Sequence, residues 1–241
     1  MIESKALTPA LGVEFTGVTD PLDDAFVQRC AEALTWRGVL LVRGLHLDDE
    51  RQLAFSRRLG EVVTLRGREV FPVTLDPARN RTAKYLKAAF HWHLDGTTDE
   101  VPVKATTLTA RHVAATGGGT EFASTYAAYE NLTEKDRERY EGLRVVHTFE
   151  ASQRLTTPDP TDEELAAWRT LPSREMALVW HRRDGRRSLV VGTTADHVVG
   201  MDAEESRVLL AEVLDRCTEE RFRYAHDWEV GDLVAWDNTG I

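Results

Sequence analysis

The segment Gly231-Asp232-Leu233-Val234-Ala235-Trp236-Asp237-Asn238 reads as a turn, an apolar strand and a polar exit. Its bland interpretation is a core strand with Trp236 packed inside and Asp237 or Asn238 capping the following turn. Upstream, Val103–Ala110, Leu143–Phe149, Met176–His181, Ser188–Val191 and Phe222–Trp228 also read as strands. Asp184-Gly185 is a hairpin signal between two of them. Helices interrupt the series. Leu22, Phe26, Cys30 and Leu34 recur every four residues and predict a helix over 22–36, with Asp20 as cap and Pro21 near the first turn. Val39–Val42 is a short buried strand, and Asp48 begins a helix that stops near Gly60. A third helix covers about 161–171, where Thr161 and Glu164 have capping-box spacing, and a fourth covers about 203–216. Residues 61–90 carry many Arg, Lys and Thr with little periodicity, a long excursion of the kind that is usually functional. Strands with helices outside them predict a mainly β fold, a jelly roll with helical buttresses, in one domain.

Composition narrows the function. The 241 residues include 30 Lys and Arg against 40 Asp and Glu, a net charge of −10. So acidic a chain is poorly suited to neutralising phosphates, so no nucleic-acid partner is expected. Hydrophobic residues make up 42% of the chain, enough for a globular core. The N-terminal residues lack a charged segment followed by an apolar one, and no run approaches the roughly 18 apolar residues of a membrane span. Cys30 and Cys217 fall on predicted amphipathic helices and read as core thiols of a reducing, cytoplasmic compartment.

Three polar stretches could carry chemistry. In Phe90-His91-Trp92-His93-Leu94-Asp95-Gly96, a strand would turn His93 and Asp95 to one face, with His91 joining them if the strand extends back. A third ligand from elsewhere would complete a 2-His-1-carboxylate triad of the type that suits non-haem Fe(II) oxygenases. Polar residues of a surface strand beside a turn are the competing reading, and for His91 it is the preferred one. Thr116-Gly117-Gly118-Gly119-Thr120-Glu121-Phe122 permits a tight turn or a close backbone approach, with a hairpin turn as the bland interpretation. The third stretch is Gly231–Asn238.

Together and in order, Trp92–Asp95 (WHLD), Gly117–Phe122 (GGGTEF), Ala127–Leu132 (AAYENL), Gly192–Met201 (GTTADHVVGM) and Gly231–Asn238 (GDLVAWDN) resemble the TauD/TfdA family of Fe(II)- and 2-oxoglutarate-dependent dioxygenases. Locally the likeness is greatest to the 2,4-dichlorophenoxyacetate dioxygenase branch. The resemblance implies a double-stranded β-helix, a cupin-like jelly roll. It implies that His93 and Asp95 are iron ligands, that Thr120 contacts a carboxylate of 2-oxoglutarate, and that Trp236 and Asn238 belong to the strand leading to a distal histidine ligand. Trp92 stands where the family often places an aromatic near substrate. His181 matches a histidine that some members turn towards substrate; a hairpin residue bonded to backbone is the competing reading. The implied reaction consumes O₂ and 2-oxoglutarate, releases succinate and CO₂, and hydroxylates an unactivated C–H of a small anion. Arg66, Arg68, Lys84 and Lys87 could draw such an anion electrostatically. The family pattern also calls for a second histidine about five residues after Asn238 and an arginine beyond it. The expectation is therefore that the natural chain continues past Ile241, and that the domain as given lacks its C-terminal end. The resemblance is the sole ground for expecting homo-oligomers. An alternative of another class is an inactive member that keeps the fold and serves as a binding module.

Overall fold

A computed structural model describes every residue of the chain except Arg66 and Arg81. In chain order, the elements are β1 (Glu3–Ala6), β2 (Val13–Thr16), α1 (Asp24–Arg37), β3 (Val39–Val42), α2 (Asp49–Leu59), a 3-10 helix (Ala83–Phe90), β4 (Ala105–Thr109), β5 (Thr120–Ala123), α3 (Thr125–Glu130) and α4 (Glu134–Tyr140). They continue with β6 (Arg144–His147), α5 (Phe149–Arg154), α6 (Asp162–Arg169), β7 (Arg174–Ala177), β8 (Val179–His181), β9 (Arg187–Leu189), β10 (Ala195–Val198), α7 (Ala203–Cys217), a 3-10 turn (Glu220–Phe222), β11 (Arg223–His226) and β12 (Leu233–Asp237). Helix and strand are mixed, so the expectation of a mainly β chain is corrected. The chain forms two compact units, one of Met1–Phe71, Lys104–Ser124 and Thr218–Ile241, the other of Pro72–Val103 and Thr125–Cys217.

The first unit is built on a five-stranded sheet in the order β1-β2-β3-β12-β4. β12 is hydrogen-bonded on both sides, antiparallel to β3 (Leu233 opposite Val42) and to β4 (Val234 opposite Leu108). Side chains alternate across a strand, and the two faces of this sheet enter different cores. Leu40, Val42, Leu233 and Ala235 pack with Phe15, Phe26 and Phe55 beneath α1 and α2. Val39, Leu41 and Val234 pack with Leu11, Phe122 and Ile241. The strand paired with β11 is β5, with Tyr224 opposite Phe122. The glycine loop before Thr120 therefore does not make a hairpin with β4. Gly117 and Gly118 adopt φ of +70° and +77° there, which side chains beyond glycine rarely tolerate.

The cap of α1 is Asp23, whose carboxylate accepts the Phe26 N–H at 2.9 Å. This corrects the predicted start at residue 22 under Asp20. The Asp20 carboxylate instead accepts the Leu22 N–H, which keeps Pro21-Leu22 in a turn. α2 runs between Asp48 and Gly60 as the sequence indicates, with the Asp48 side chain accepting from the Arg51 amide.

The second unit holds a three-stranded sheet, β10-β6-β7, and the hairpin β8-β9. The hairpin turns at Asp184-Gly185, where Gly185 has φ +86°. α7 packs against β10, and α3 packs against β9 and α7. The predicted strand Met176–His181 is two strands. Leu178 donates to the Leu143 carbonyl and accepts from the Val190 amide, so the chain exchanges one partner for another at that residue. α6 carries the predicted capping box, with Thr161 Oγ1 accepting from the Glu164 amide and Glu164 accepting from the Thr161 amide. Cys30 and Cys217 are both buried free thiols, and burial pushes the Cys30 thiol up to about 12. Among the described residues no helix is long and apolar enough to cross a membrane.

His147 at the end of β6 has no exposed surface. Burial pushes its imidazole from 6.5 down to about 4, so the folded chain keeps it neutral. The unfolded chain protonates this residue below about pH 6.5. Acidification from there towards pH 4 therefore favours unfolding, by ~1.4 kcal/mol per pH unit from this group. Urea unfolding should show about 2 kcal/mol of stability lost to this group between about pH 7.5 and 5, and His147→Gln should remove that component. An unchanged pH slope in the variant would contradict the assignment.

Candidate active site

His91–Asp95 is a loop, and the predicted strand is corrected. His91 caps the 3-10 helix Ala83–Phe90, and a turn begins at Asp95. His93 and Asp95 converge nonetheless, with Nε2 of the imidazole 3.6 Å from Oδ1 of the carboxylate. His93 Nδ1 lies 2.8 Å from the His91 carbonyl oxygen. A carbonyl only accepts, so Nδ1 carries a proton, and in the neutral ring the lone pair is left on Nε2. That is the tautomer a metal ligand needs, fixed by a hydrogen bond to the other ring nitrogen. His91 contributes its backbone to this arrangement. Two ligand bonds of about 2.1 Å from one cation can reach both Nε2 and Oδ1, and both side chains are about one-third exposed. The donor set, one imidazole nitrogen and one carboxylate oxygen, fits a divalent transition metal. Among the described residues no group of three or more His, Cys, Asp or Glu side chains gathers for metal binding.

The loop is seated on Gly192. The Thr193 amide donates to the Trp92 carbonyl at 2.9 Å. A Cβ on Gly192 would lie 2.9 Å from both the Trp92 carbonyl oxygen and the His93 Cα, and its φ is +148°. Only glycine lets the backbone of residues 92–93 come this close. On the far side of His93 and Asp95, Gly96 has φ +76°, and a Cβ there would be 2.8 Å from the Val103 nitrogen. The short tether between Leu94, which is buried, and Thr97, also buried, thus depends on a residue without a side chain.

Thr120 and Trp236 belong to the first unit. Thr120 opens β5, and its Oγ1 accepts the Trp228 indole N–H at 2.9 Å. With that hydrogen bond made, the threonine hydroxyl retains its own proton for donation. Trp236 lies on β12 between Val39 and Thr106, its ring 5.4 Å from that of Phe122. It is half-buried, with one edge of the apolar cluster behind it. Asp237 accepts from the Thr239 amide, and Asn238 donates to Thr106 Oγ1 at 2.8 Å, so both polar residues shape the turn after the strand.

His181 ends β8 with its Nε2 2.6 Å from Glu141 Oε1. Its imidazole is engaged by that exposed carboxylate. The competing reading named backbone as its partner; the partner is a carboxylate. Lys84 lies 3.5 Å from Glu164 and 4.8 Å from the centre of the Tyr85 ring. Arg68 and Lys87 are exposed, and Arg66 lies outside the described residues.

The family model described as taurine catabolism dioxygenase TauD, TfdA family matches residues 3–241. The chain belongs to this family. It is accordingly an Fe- and 2-oxoglutarate-dependent dioxygenase. The alpha-ketoglutarate-dependent 2,4-dichlorophenoxyacetate dioxygenase of Cupriavidus pinatubonensis is 32% identical, the match covering 96% of this chain and 87% of that one. The alpha-ketoglutarate-dependent sulfate ester dioxygenase of Pseudomonas putida is also 32% identical, over 95% of this chain and 78% of that one. Among solved structures, AAD-2 in complex with Mn(II) and N-oxalylglycine is similar at a TM-score of 0.84 and 27% identity, covering all of this chain and 88% of that one. Family and structural likeness assign the TauD fold, the double-stranded β-helix. Among the described residues its strands form four separate hydrogen-bonded sheets.

Sequence reasoning overlooked Trp228, which sits in a predicted strand like any core aromatic. It also overlooked His147, Thr194 and Thr97, which form a largely buried hydrogen-bonded chain. His147 Nδ1 is 2.9 Å from Thr194 Oγ1, and Thr194 Oγ1 is 2.8 Å from Thr97 Oγ1. The three lie far apart in sequence, so no local pattern marks them.

Gly192→Ala tests the seat. The new Cβ must displace residues 92–93 or strain its own backbone, at about 1–3 kcal/mol. Urea unfolding should register that loss, and stability equal to the wild type would show that the contact yields freely.

Proposed function

We propose that this enzyme hydroxylates an unactivated C–H of a small organic anion, with His93 and Asp95 as two of the protein ligands to Fe(II). The observation that carries the reading is the convergence of a tautomer-fixed His93 Nε2 and Asp95 Oδ1. When bound, iron with 2-oxoglutarate and O₂ supplies the oxidising chemistry, whose balance is R–H + 2-oxoglutarate + O₂ giving R–OH + succinate + CO₂. The chain's own residues bind and orient. Thr120 donates its hydroxyl proton to a carboxylate oxygen of 2-oxoglutarate, while the Trp228 N–H occupies its acceptor side. Trp236 supplies an apolar surface for the same co-substrate. Trp92, beside the ligand and half-buried, is a substrate contact.

Two kinds of likeness support the ligand classes. N-oxalylglycine, named with Mn(II) for the structural relative, has the skeleton of 2-oxoglutarate with NH in place of a methylene. The substrates named for the two sequence relatives are a carboxylate and sulfate esters, both anionic. Lys87, exposed on the 3-10 helix that leads into the ligand loop, adds a positive charge that attracts such an anion. Lys84 is compensated by Glu164 and contributes less. His181, held by Glu141, is the weakest substrate contact of the set.

Succinate release, screened against small carboxylates, sulfonates and sulfate esters, tests the reaction class. Stimulation by at least one panel member is expected, and failure of Fe(II) and 2-oxoglutarate to give any succinate would contradict the reading. Asp95→Ala should fold and lose coupled turnover; retained coupling would remove Asp95 from the ligand set. Thr120→Val should raise the 2-oxoglutarate requirement on the order of ten-fold or more, because a hydrogen bond to a charged group is worth ~1.5–3 kcal/mol. The substrate requirement should change less, and an unchanged 2-oxoglutarate requirement would return Thr120 to a purely structural role.

A further inference from the structure

The ligand loop has no ladder of its own. Residues 91–98 lie outside helix and strand, so their geometry depends on whatever grips them. The segment Gly192-Thr193-Thr194 grips both ends. Thr193 holds the Trp92 carbonyl, immediately before His93. Thr194 Oγ1 meets Thr97 Oγ1 at 2.8 Å, two residues after Asp95. The tripeptide is itself fixed from behind. The Thr148 amide donates to the Thr194 carbonyl at 2.8 Å, and His147 Nδ1 lies 2.9 Å from Thr194 Oγ1. Ala195 opens β10 opposite His147, and the ladder slips between Ala195 and His197. Bulges of this kind re-aim side chains beside active sites. Thr97 and His147 are buried, and Thr194 is half-buried, so the chain is largely shielded from competing water.

From this arrangement we infer that the hydroxyl of Thr194, backed by His147 and bonded to Thr97, is a positioning device for the metal ligands His93 and Asp95. The inference rests on the reading of those two residues as ligands. Thr194 is assigned no contact with metal or substrate; it acts through Thr97 and the turn at Gly96 that joins Thr97 to Asp95. A partner that orients a ligand in this way typically changes metal affinity by about 10–100-fold. A packing role would give another result, because Thr→Val keeps the volume and the branching and removes only the hydroxyl.

The test is Mn(II) binding to the full chain in the presence of 2-oxoglutarate, read from the electron paramagnetic resonance signal of free Mn(II). Variants are Thr194→Val, Thr194→Ser, Thr97→Val, the double variant carrying both valines, and Asp95→Ala, each checked by circular dichroism. Expected are a loss of about ten-fold or more in Thr194→Val and Thr97→Val, near wild-type affinity in Thr194→Ser, and no further loss in the double valine variant. Wild-type affinity in a folded Thr194→Val overturns the inference, and so does equal loss in the valine and serine variants. If Thr194→Val does not fold, the Thr97→Val and Thr194→Ser pair decides by the same criteria. Wild-type affinity in Asp95→Ala would instead overturn the ligand reading beneath it, and this inference with it; loss there with none in the valine variants sinks the positioning role alone.

Discussion

Leu233, Val234 and Ala235 are wholly buried, and the strand they form is hydrogen-bonded along both edges. A central strand with two apolar faces must be covered on both, and this one divides its side chains between two cores. The five-stranded sheet of the first unit is organised around it. β3 and β4 are placed by its two ladders, and α1 and α2 cover the face that Leu233 and Ala235 present. Trp236 and the polar turn at Asp237–Thr239 emerge at its end. The start of the strand is equally constrained. Asp232 has no exposed surface and is bonded by Arg43 at 2.6 Å and by the Glu229 amide at 2.9 Å. His226 Nε2 is 3.2 Å from the same carboxylate, off the axis of a hydrogen bond. Burial and the nearby Arg43 hold that imidazole below its ordinary range, against the opposing pull of the Asp232 carboxylate.

The second unit solves a different problem. Metal ligands need a fixed geometry, and a loop does not provide one alone. Here the loop that carries His93 and Asp95 borrows rigidity from the chain between β9 and β10, through a glycine that permits backbone contact and a threonine that supplies a hydroxyl. The imidazole is oriented by its own neighbour's carbonyl. The two proposed ligands are thus neighbours in sequence, whereas the contacts that hold their loop come from residues about a hundred positions away.

That difference explains what the sequence revealed. Val39–Val42 and the helix from Asp48 to Gly60 were legible because an apolar run and a cap are local signals. So was the capping box at Thr161 and Glu164. The break at Leu178 was not, because alternation continues through it and only the change of pairing partner marks it. Strand alternation would pair His93 with Asp95, a geometry the loop does not have; the two converge because the loop folds back on itself. The extent of helix was underestimated where short helices such as α3 and α4 follow motifs whose residues also suit turns. The Thr97, Thr194 and His147 chain and the Trp228 bond to Thr120 are long-range, and only the folded chain brings them together.

Nε2 of His93 and Oδ1 of Asp95 are proposed to address one metal ion. Anaerobic titration of Fe(II) into the protein with 2-oxoglutarate, followed by visible absorption, tests it most directly. A weak charge-transfer band that grows to saturation near one iron per chain is the predicted result. A featureless spectrum at saturating Fe(II) and 2-oxoglutarate would contradict it.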